Sequence, residues 1–282
     1  MKRKHIWIFA GALFALLLIR GLWTNKALEV NTYVIHSQRL PAGFAGYRIA
    51  QISDLHNDTF GRNNEKLLTM LAQTEPDIIA ITGDMIDSRD TNVEIALAFA
   101  EEAVKIAPCY YVSGNHESRI PEDYARLKQG LTELGVVVLE DEKIELTRSG
   151  ETITLMGVDD PRFLAEVLYW EDSEVMHDKL QLLAGDHAFT VLLSHRPELF
   201  ETYVKENIDL AFTGHAHGGQ FIIPFLRQGI FSPNQGFFPK YTEGMHEKDG
   251  TVMIVSRGLG NSGFPFRIFN RPELIEVTLH AK

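Results

Sequence analysis

Two histidines one residue apart, His215 and His217, stand in Thr213-Gly214-His215-Ala216-His217-Gly218-Gly219, just after the mostly apolar run Ile208 to Phe212. Glycines at the end of a buried strand let backbone come close to a bound ion, and neutral imidazole is a common metal ligand. Taken alone the pair also fits a glycine turn with exposed histidines. Its company upstream decides between the two.

Four other segments share one design, an apolar β-type run that ends abruptly in Asp, Asn or His and then turns. Tyr47 to Ile52 ends in Ser53-Asp54-Leu55-His56, and Asp77 to Ile81 ends in Thr82-Gly83-Asp84. Cys109 to Val112 ends in Ser113-Gly114-Asn115-His116-Glu117, and Phe189 to Leu193 ends in Ser194-His195-Arg196-Pro197. In open α/β sheets ligands bind at the carboxyl ends of strands, so five such tips are better explained by one site than by coincidence.

The donors are carboxylates, imidazoles and one amide, with no thiolate. That set suits Mn, Fe, Zn, Co or Ni rather than a structural zinc knuckle. There are too many groups for one ion. Two cations about 3.5 to 4 Å apart need a bridging carboxylate, and Asp84, on its own short turn, is the natural candidate.

Asp54-x-His56, Gly83-Asp84, Gly114-Asn115-His116-Glu117, His195 and Gly214-His215-x-His217 together resemble the motif series of the calcineurin-like metallophosphoesterases, in family order. The likeness runs over residues 28 to 280. Ser256-Arg-Gly-Leu-Gly260 and the ending Arg267-Ile-Phe-Asn-Arg-Pro-Glu273 are similar to a membrane-associated bacterial phosphodiesterase subgroup. The resemblance implies the metallo-dependent phosphatase fold, a four-layer αββα sandwich of two mixed sheets flanked by helices. It implies one ion held by Asp54, His56, Asp84 and His217, and a second held by Asp84, Asn115, His195 and His215. The catalytic residues it implies are Asp84, Asn115 and His116. His116 is then no ligand; it stabilises charge on the phosphoryl oxygens or protonates the leaving oxygen.

The 282 residues are 45% hydrophobic and 23% charged, enough for one large domain over residues 25–282, with an N-terminal segment before it. The net charge is −11, yet Lys2, Arg3, Lys4, Arg20 and Lys26 all fall in the first 26 residues with no acid, which leaves −16 on the remainder. So acidic a body argues against stable nucleic-acid binding, since phosphate backbones need a basic surface. The lone cysteine, Cys109, lies inside an apolar run and is expected in the core, with no intrachain disulfide available.

Residues 1–24 open with Lys2-Arg3-Lys4-His5, continue with fourteen uncharged residues, Ile6 to Ile19, and reach Trp23 past Arg20. With Arg20 snorkelling the stretch is eighteen residues, close to the roughly 20 a bilayer needs. No small-x-small cleavage site follows, so an uncleaved signal anchor is expected: a single-pass transmembrane segment in the cell membrane. Its basic start would stay in the cytoplasm and the catalytic domain outside it. The chain is expected to be a monomer.

Alternation in Leu28-Glu-Val30-Asn-Thr-Tyr-Val34 predicts an opening strand. Helices are predicted over Asn63 to Gln73, capped by Asn63 or Asn64, over Val93 to Ile106, and over Pro121 to Leu134 with Glu122 and Asp123 in its first turn. Val136 to Leu139, Lys143 to Leu146 and Thr152 to Val158 read as strands, and Trp170 to Leu183 as a short helix. Strand alternating with helix argues for a largely parallel sheet.

Beyond Gly219 the chain is aromatic and proline-rich, with Phe221, Pro224, Phe225, Phe231, Pro233, Phe237, Phe238, Pro239 and Tyr241. So long a stretch between strands is usually functional, as a lipid- or ligand-facing rim or as a cover for the second sheet. Gly258-Leu-Gly260-Asn-Ser-Gly263 fits a dinucleotide fingerprint, but Pro265 and a strand-like run follow it instead of a helix. A loop over the metals is the better reading, with Asn261 or Arg257 near substrate.

The chemistry these residues suit is phosphoester hydrolysis, by attack of a metal-bridging hydroxide on phosphorus. His116 supports the expelled oxygen; Arg119 or Arg196 assist it or form surface ion pairs. Glu117 or Asp87 would orient ligand histidines. The expected substrate is a phosphodiester, with a lipid-linked phosphoester or a UDP-2,3-diacylglucosamine-type nucleotide-lipid pyrophosphate as the alternative. A catalytically silent metal-binding scaffold and a nuclease are the rival classes. Intact Asn115, His116 and Asp84 oppose the first, and the −16 body opposes the second.

Overall fold

The computed structural model describes residues 2–164, 171–185, 189–223 and 225–282. It contains two six-stranded sheets. The first has, in spatial order, β1 (Glu29–Ser37), β16 (Glu273–Ala281), β2 (Tyr47–Ile52), β3 (Ile78–Thr82), β4 (Cys109–Val112) and β5 (Val137–Val138). The second has β14 (Gly244–Lys248), β15 (Thr251–Val255), β9 (Leu210–Thr213), β8 (Thr190–Leu193), β7 (Glu151–Gly157) and β6 (Glu142–Arg148). Two hairpins, β10 (Ile222–Ile223) with β11 (Gln228–Gly229) and β12 (Phe231–Ser232) with β13 (Gly236–Phe237), occupy the aromatic stretch.

Both sheets are mixed. β2, β3, β4 and β5 run parallel, as do β7, β8, β9 and β15. The antiparallel pairs lie at β16–β2, β14–β15 and β6–β7. The expectation of a largely parallel sheet thus holds: β1 also pairs parallel with β16, the one antiparallel pair of the first sheet is β16–β2 inside it, and those of the second are at its two edges.

Side chains alternate across a strand, so a strand buried on both faces must be apolar throughout. In β3, Ile79 and Ile81 face one core while Ile78 and Ala80 face another. The first core receives α2 (Glu65–Gln73) through Leu67 and Leu71, α3 (Val93–Ala103) through Phe99 and Ala100, and α4 (Pro121–Glu133) through Leu127 and Leu131. The second lies between the sheets, with Ile49 and Val112 against Leu155, Val191, Phe212 and Ile254. A third packs α5 (Asp172–Leu183) and α6 (Phe200–Lys205) on the outer face of the second sheet through Met176, Leu180 and Tyr203. The layers are therefore helix, sheet, sheet, helix, the four-layer arrangement expected.

Boundaries move little. The helix expected from Asn63 starts at Glu65, because Asn63 and Asn64 have positive φ and the Asn64 side chain accepts from Phe60 N–H at 2.9 Å. α3, expected to reach Ile106, ends three residues earlier, at Ala103, and Asn92 caps it. Trp170, the expected start of α5, and Pro224 lie outside the described residues. Cys109 is buried, and burial pushes its thiol up to about 12.

α1 (Lys2–Thr24) carries the apolar N-terminal run. The expected single-pass anchor is not supported: among the described residues no helix is long and apolar enough to cross a membrane. The end of α1 is engaged with the domain instead. Gly21 abuts Phe266 and the Arg267 carbonyl, Thr24 and Asn25 are buried, and the Arg20 guanidinium lies 5.3 Å from the Trp23 ring and 5.8 Å from that of Phe269.

Candidate metal centre

The carboxyl ends of β2, β3 and β4 in one sheet meet those of β8 and β9 in the other. Buried cross-sheet bonds join them: Gln51 Nε2 donates to the Thr213 carbonyl at 2.9 Å, and His215 N–H donates to Asp54 at 3.1 Å. The junction leaves no room for side chains on the intervening turns. A Cβ on Gly214 would lie 2.0 Å from Ser53 Oγ and 2.3 Å from Asp54 Oδ2, and one on Gly114 2.3 Å from Asp84 Oδ1.

Five residues at these tips share an uncommon backbone. Asp54, His56, Asp84, His215 and His217 all have φ between 45° and 65°. The left-handed region is disfavoured for residues with a Cβ and is tolerated best by Asn, Asp and His, which is why such residues can end these strands and turn inward.

Three donor groups result among the described residues. Asp54, His56 and His217 form one cluster of strand-tip donors and Asp84, His195 and His215 a second, while His56 also groups with Asp87 and His116. In the first, His56 Nε2 and His217 Nε2 are 3.1 Å apart, and Asp54 Oδ1 is 3.4 Å from His217 Nε2 and 3.8 Å from His56 Nε2. In the second, Asp84 Oδ2 is 3.1 Å from His195 Nε2. The same oxygen is 3.6 Å from His56 Nε2, so Asp84 stands between the clusters.

His195 Nδ1–H donates to the Thr82 carbonyl at 2.8 Å. Its Nε2, with no other hydrogen-bond partner, faces Asp84 Oδ2 and is free to bind a proton or a metal ion there. Asn115 Oδ1 is buried and unpartnered as well. Burial disfavours a charged His195, but Asp84 and Asp54 outweigh it and raise the imidazole to about 10. Burial likewise opposes charge on His56, and Asp54, Asp87 and Asp84 raise it to about 9. The pocket of carboxylates thus calls for positive charge. Donors bound to one divalent ion at about 2.1 Å lie about 3 to 4 Å from each other. That is the spacing of Asp54, His56 and His217 and of Asp84 with His195, and each set of three lies within 4.8 Å. The residues fit divalent metal.

His116 is oriented differently. Ser88 N–H donates to its Nδ1 at 3.0 Å, so in the neutral ring the proton is on Nε2, 3.1 Å from Ser262 Oγ. Burial holds His116 neutral, down at about 4.

The sequence profile of calcineurin-like phosphoesterases matches residues 47–219, which carry every tip described above. The chain belongs to that family. It is 32% identical over 261 residues to the uncharacterized metallophosphoesterase YkuE of Bacillus subtilis (strain 168), covering 90% of this chain and 86% of that one. It is 28% identical over 261 residues to YkoQ of the same organism, covering 91% of each. A transmembrane protein with metallophosphoesterase domain of Bos taurus is 28% identical over 264 residues, 89% of this chain but 57% of that one. For a calcineurin-like phosphoesterase, metal-dependent phosphoester hydrolysis is the family activity.

The outer residues differ from expectation. Glu117 orients no histidine: it accepts from the backbone N–H groups of Asp84, Met85 and Gly114, each at 2.9 Å, and so holds the Asp84 turn against the Asn115 turn. Burial and Asp84 push it up to about 7. Asp87 does face a histidine, 3.4 Å from His56 Nδ1.

Arg196 forms no surface ion pair. It is fully buried and bidentate on Asp160, with Nη1 3.4 Å from His215 Nε2. Arg257 does not line the cavity beside the clusters; it is buried in pairs with Glu29 and Glu273 and ties β1 to β16. Arg119 is exposed beside His116, and Asn261 lines a neighbouring cavity with His56 and Asp87.

Sequence reading missed the C-terminal clamp. Arg267 donates to the Gly260 carbonyl and lies 3.1 Å from His217 Nδ1, and Asn270 Nδ2 donates to the His217 carbonyl at 2.7 Å. The signal was the Arg267 to Glu273 ending, which by itself carries no ligand chemistry. The glycine loop before it lies over the centre as expected: a Cβ on Gly258 would come within 2.6 Å of Asp54 Cβ.

Proposed function

We propose that the chain is a di-metal hydrolase of the phosphodiester type. In this reading Asp54, His56, Asp84 and His217 hold one divalent ion, and Asp84, Asn115, His195 and His215 hold the other. Mn, Fe, Zn, Co and Ni all suit the donors. The observation that carries the reading is the convergence of buried donors from the tips of β2, β3, β8 and β9: within Asp54, His56 and His217, and within Asp84, His195 and His215, the donor atoms lie within 4.8 Å of one another, and Asp84 Oδ2 also comes within 3.6 Å of His56 Nε2.

Two bound ions supply Lewis acidity toward phosphoryl oxygens and lower the pKa of water. The protein's own residues do the rest. Asp84, reaching both clusters, fixes their separation. Thr82 and Asp87 set the ring orientations of His195 and His56. His116, neutral with its proton on Nε2 beside Ser262 Oγ, lines the cavity, where it can donate a hydrogen bond to charge on a phosphoryl or leaving oxygen.

Attachment to a membrane through α1 is part of the proposal, supported by the exposure of Ile6, Trp7, Ile8, Phe9 and Phe14 and by relatives named as transmembrane proteins. The test is hydrolysis of bis-p-nitrophenyl phosphate by the full chain with Mn²⁺, beside Asp84→Ala and His116→Ala. Metal-dependent turnover lost in both variants is the expected result. Tight metal binding with no turnover by the unaltered chain would overturn hydrolysis in favour of a scaffold. Flotation of the full chain with liposomes, lost on removal of residues 2–19, tests the attachment.

A further inference from the structure

Beside the two clusters opens a cavity of about 450 Å³, far larger than a phosphoryl group needs. Asp84, Asn115, His116, His215 and His217 form its floor. Its walls are of two unlike kinds. One is apolar, made by Phe221, Ile230, Phe231, Phe237 and Phe264. The rings brace each other in pairs: Phe221 and Phe264 meet edge to face at 5.1 Å between centroids, Phe231 and Phe237 at 5.3 Å. Phe237 is nonetheless 73% exposed, and Phe231 and Phe264 nearly half so. Apolar surface held open around a polar floor marks a ligand site, because covering it releases ordered water.

The other wall is cationic. Arg89 and Arg119, both exposed, line the same cavity. Among the described residues neither guanidinium takes part in an ion pair or hydrogen bond. Asp87 and Asp90 lie near Arg89, yet of Arg89 it is the backbone N–H and not the guanidinium that Asp87 accepts. In a chain with 38 acidic residues against 27 Lys and Arg, two unpartnered arginines on one cavity are set apart from a surface where acids are plentiful. A guanidinium fork matches the oxygens of a phosphoryl group, and the clusters on the floor already provide for the first such group.

We propose that the cavity takes an amphiphilic diphosphate. Its reacting phosphorus lies over the paired clusters, its second phosphoryl group is held by Arg89 and Arg119, and its apolar group lies along Phe221, Phe231, Phe237 and Phe264. This deepens the hydrolase reading and rests on it for the position of the reacting phosphorus. The shared chemistry, two phosphates and one apolar body, belongs both to a lipid-linked diphosphate and to a nucleotide.

Titration calorimetry of the full chain at fixed free Mn²⁺ separates the parts. Hexyl diphosphate, hexyl phosphate, inorganic pyrophosphate and adenosine diphosphate are the probes. Hexyl diphosphate is expected to bind about ten-fold more tightly than hexyl phosphate. Arg89→Gln and Arg119→Gln should each shrink that ratio, with Arg119→Lys restoring only part of it because an ammonium lacks the fork. Phe231→Ala with Phe237→Ala should shrink the ratio of hexyl diphosphate to pyrophosphate and leave the first ratio in place. Whichever of hexyl diphosphate and adenosine diphosphate binds more tightly names the source, chain or base. Equal binding of hexyl diphosphate and hexyl phosphate, or a ratio unmoved in both arginine variants, overturns the proposal. Because binding is read without turnover, failure to hydrolyse bis-p-nitrophenyl phosphate would sink the hydrolase reading alone.

Discussion

Asn25, one residue past the end of α1, clasps the backbone of the loop that carries Arg267: its Oδ1 accepts from Arg267 N–H at 2.6 Å and its Nδ2 donates to the Pro265 carbonyl at 3.1 Å. Arg267 in turn reaches His217 Nδ1. The start of the domain is thereby two contacts from a proposed metal ligand. Removing a buried partner leaves its mate unsatisfied and costs about 1 to 3 kcal/mol. Asn25→Ala is therefore expected to lower the midpoint of urea unfolding, and a chain starting at residue 28 to do the same. A chain starting at residue 20, which retains the Arg20, Gly21 and Thr24 contacts, should keep the stability of the full protein.

Arg267→Met tests the next contact. Groups that orient metal ligands typically contribute about 10- to 100-fold to metal affinity. We expect a loss of that size for Mn²⁺ by calorimetry, and unchanged affinity would show that Arg267 braces only the glycine loop.

Gly214→Ala places a methyl on Ser53 Oγ and Asp54 Oδ2. Overpacking of this kind costs about 1 to 3 kcal/mol, and here relief requires Asp54 to move. Metal-dependent turnover should fall to background while far-ultraviolet circular dichroism stays that of the parent; full activity would show that the strand tips can separate.

The Arg196–Asp160 pair is buried on both sides. Stripping one partner from such a pair costs about 3 to 5 kcal/mol, because a charge is left without compensation. Asp160→Ala should bring a fall of that order in unfolding free energy. Adding Arg196→Met should recover part of it, since the orphaned charge is then gone.

Asp159 supplies a pH signature away from the proposed ligands. Burial raises its carboxyl to about 6, against the pull of Ser113 Oγ–H at 2.5 Å and of Lys179. A raised acid binds its proton more tightly in the folded state, so stability should decline as pH climbs from about 4, the unfolded value, through about 6, and level off above. The swing is on the order of 1 to 3 kcal/mol. Asp159→Asn should flatten that part of the curve of unfolding free energy against pH; an unchanged slope would assign it to another group.

The donor-bearing tips were legible because their chemistry is local. An apolar run that stops at Asp, Asn or His beside glycine states both a strand and what it offers at its end, and Asp54, Asp84, Asn115, His195, His215 and His217 could be read that way. The helices were legible from apolar spacing, with errors of a few residues where Asn63 and Asn64 turn left-handed instead of capping. Arg257 was misread because an arginine beside a glycine loop looks alike in sequence whether it faces substrate or Glu29 and Glu273, and only the pairing of β1 with β16 brings those acids to it. Glu117 was misread for a similar reason: its partners are backbone amides, which have no identity in sequence.

By itself the sequence determined the donor set, its order along the chain, and the apolar strands and helices that hold it, since these follow from residue type and from periods of 2 and 3.6. The tertiary structure alone decided which donors share a cluster, which acids face which arginines, and that the aromatic hairpins wall a cavity over His116. Those depend on contacts between residues far apart in the chain, such as Asn25 with Arg267 and Glu29 with Arg257, whose geometry is set by how two sheets pack and not by any local preference.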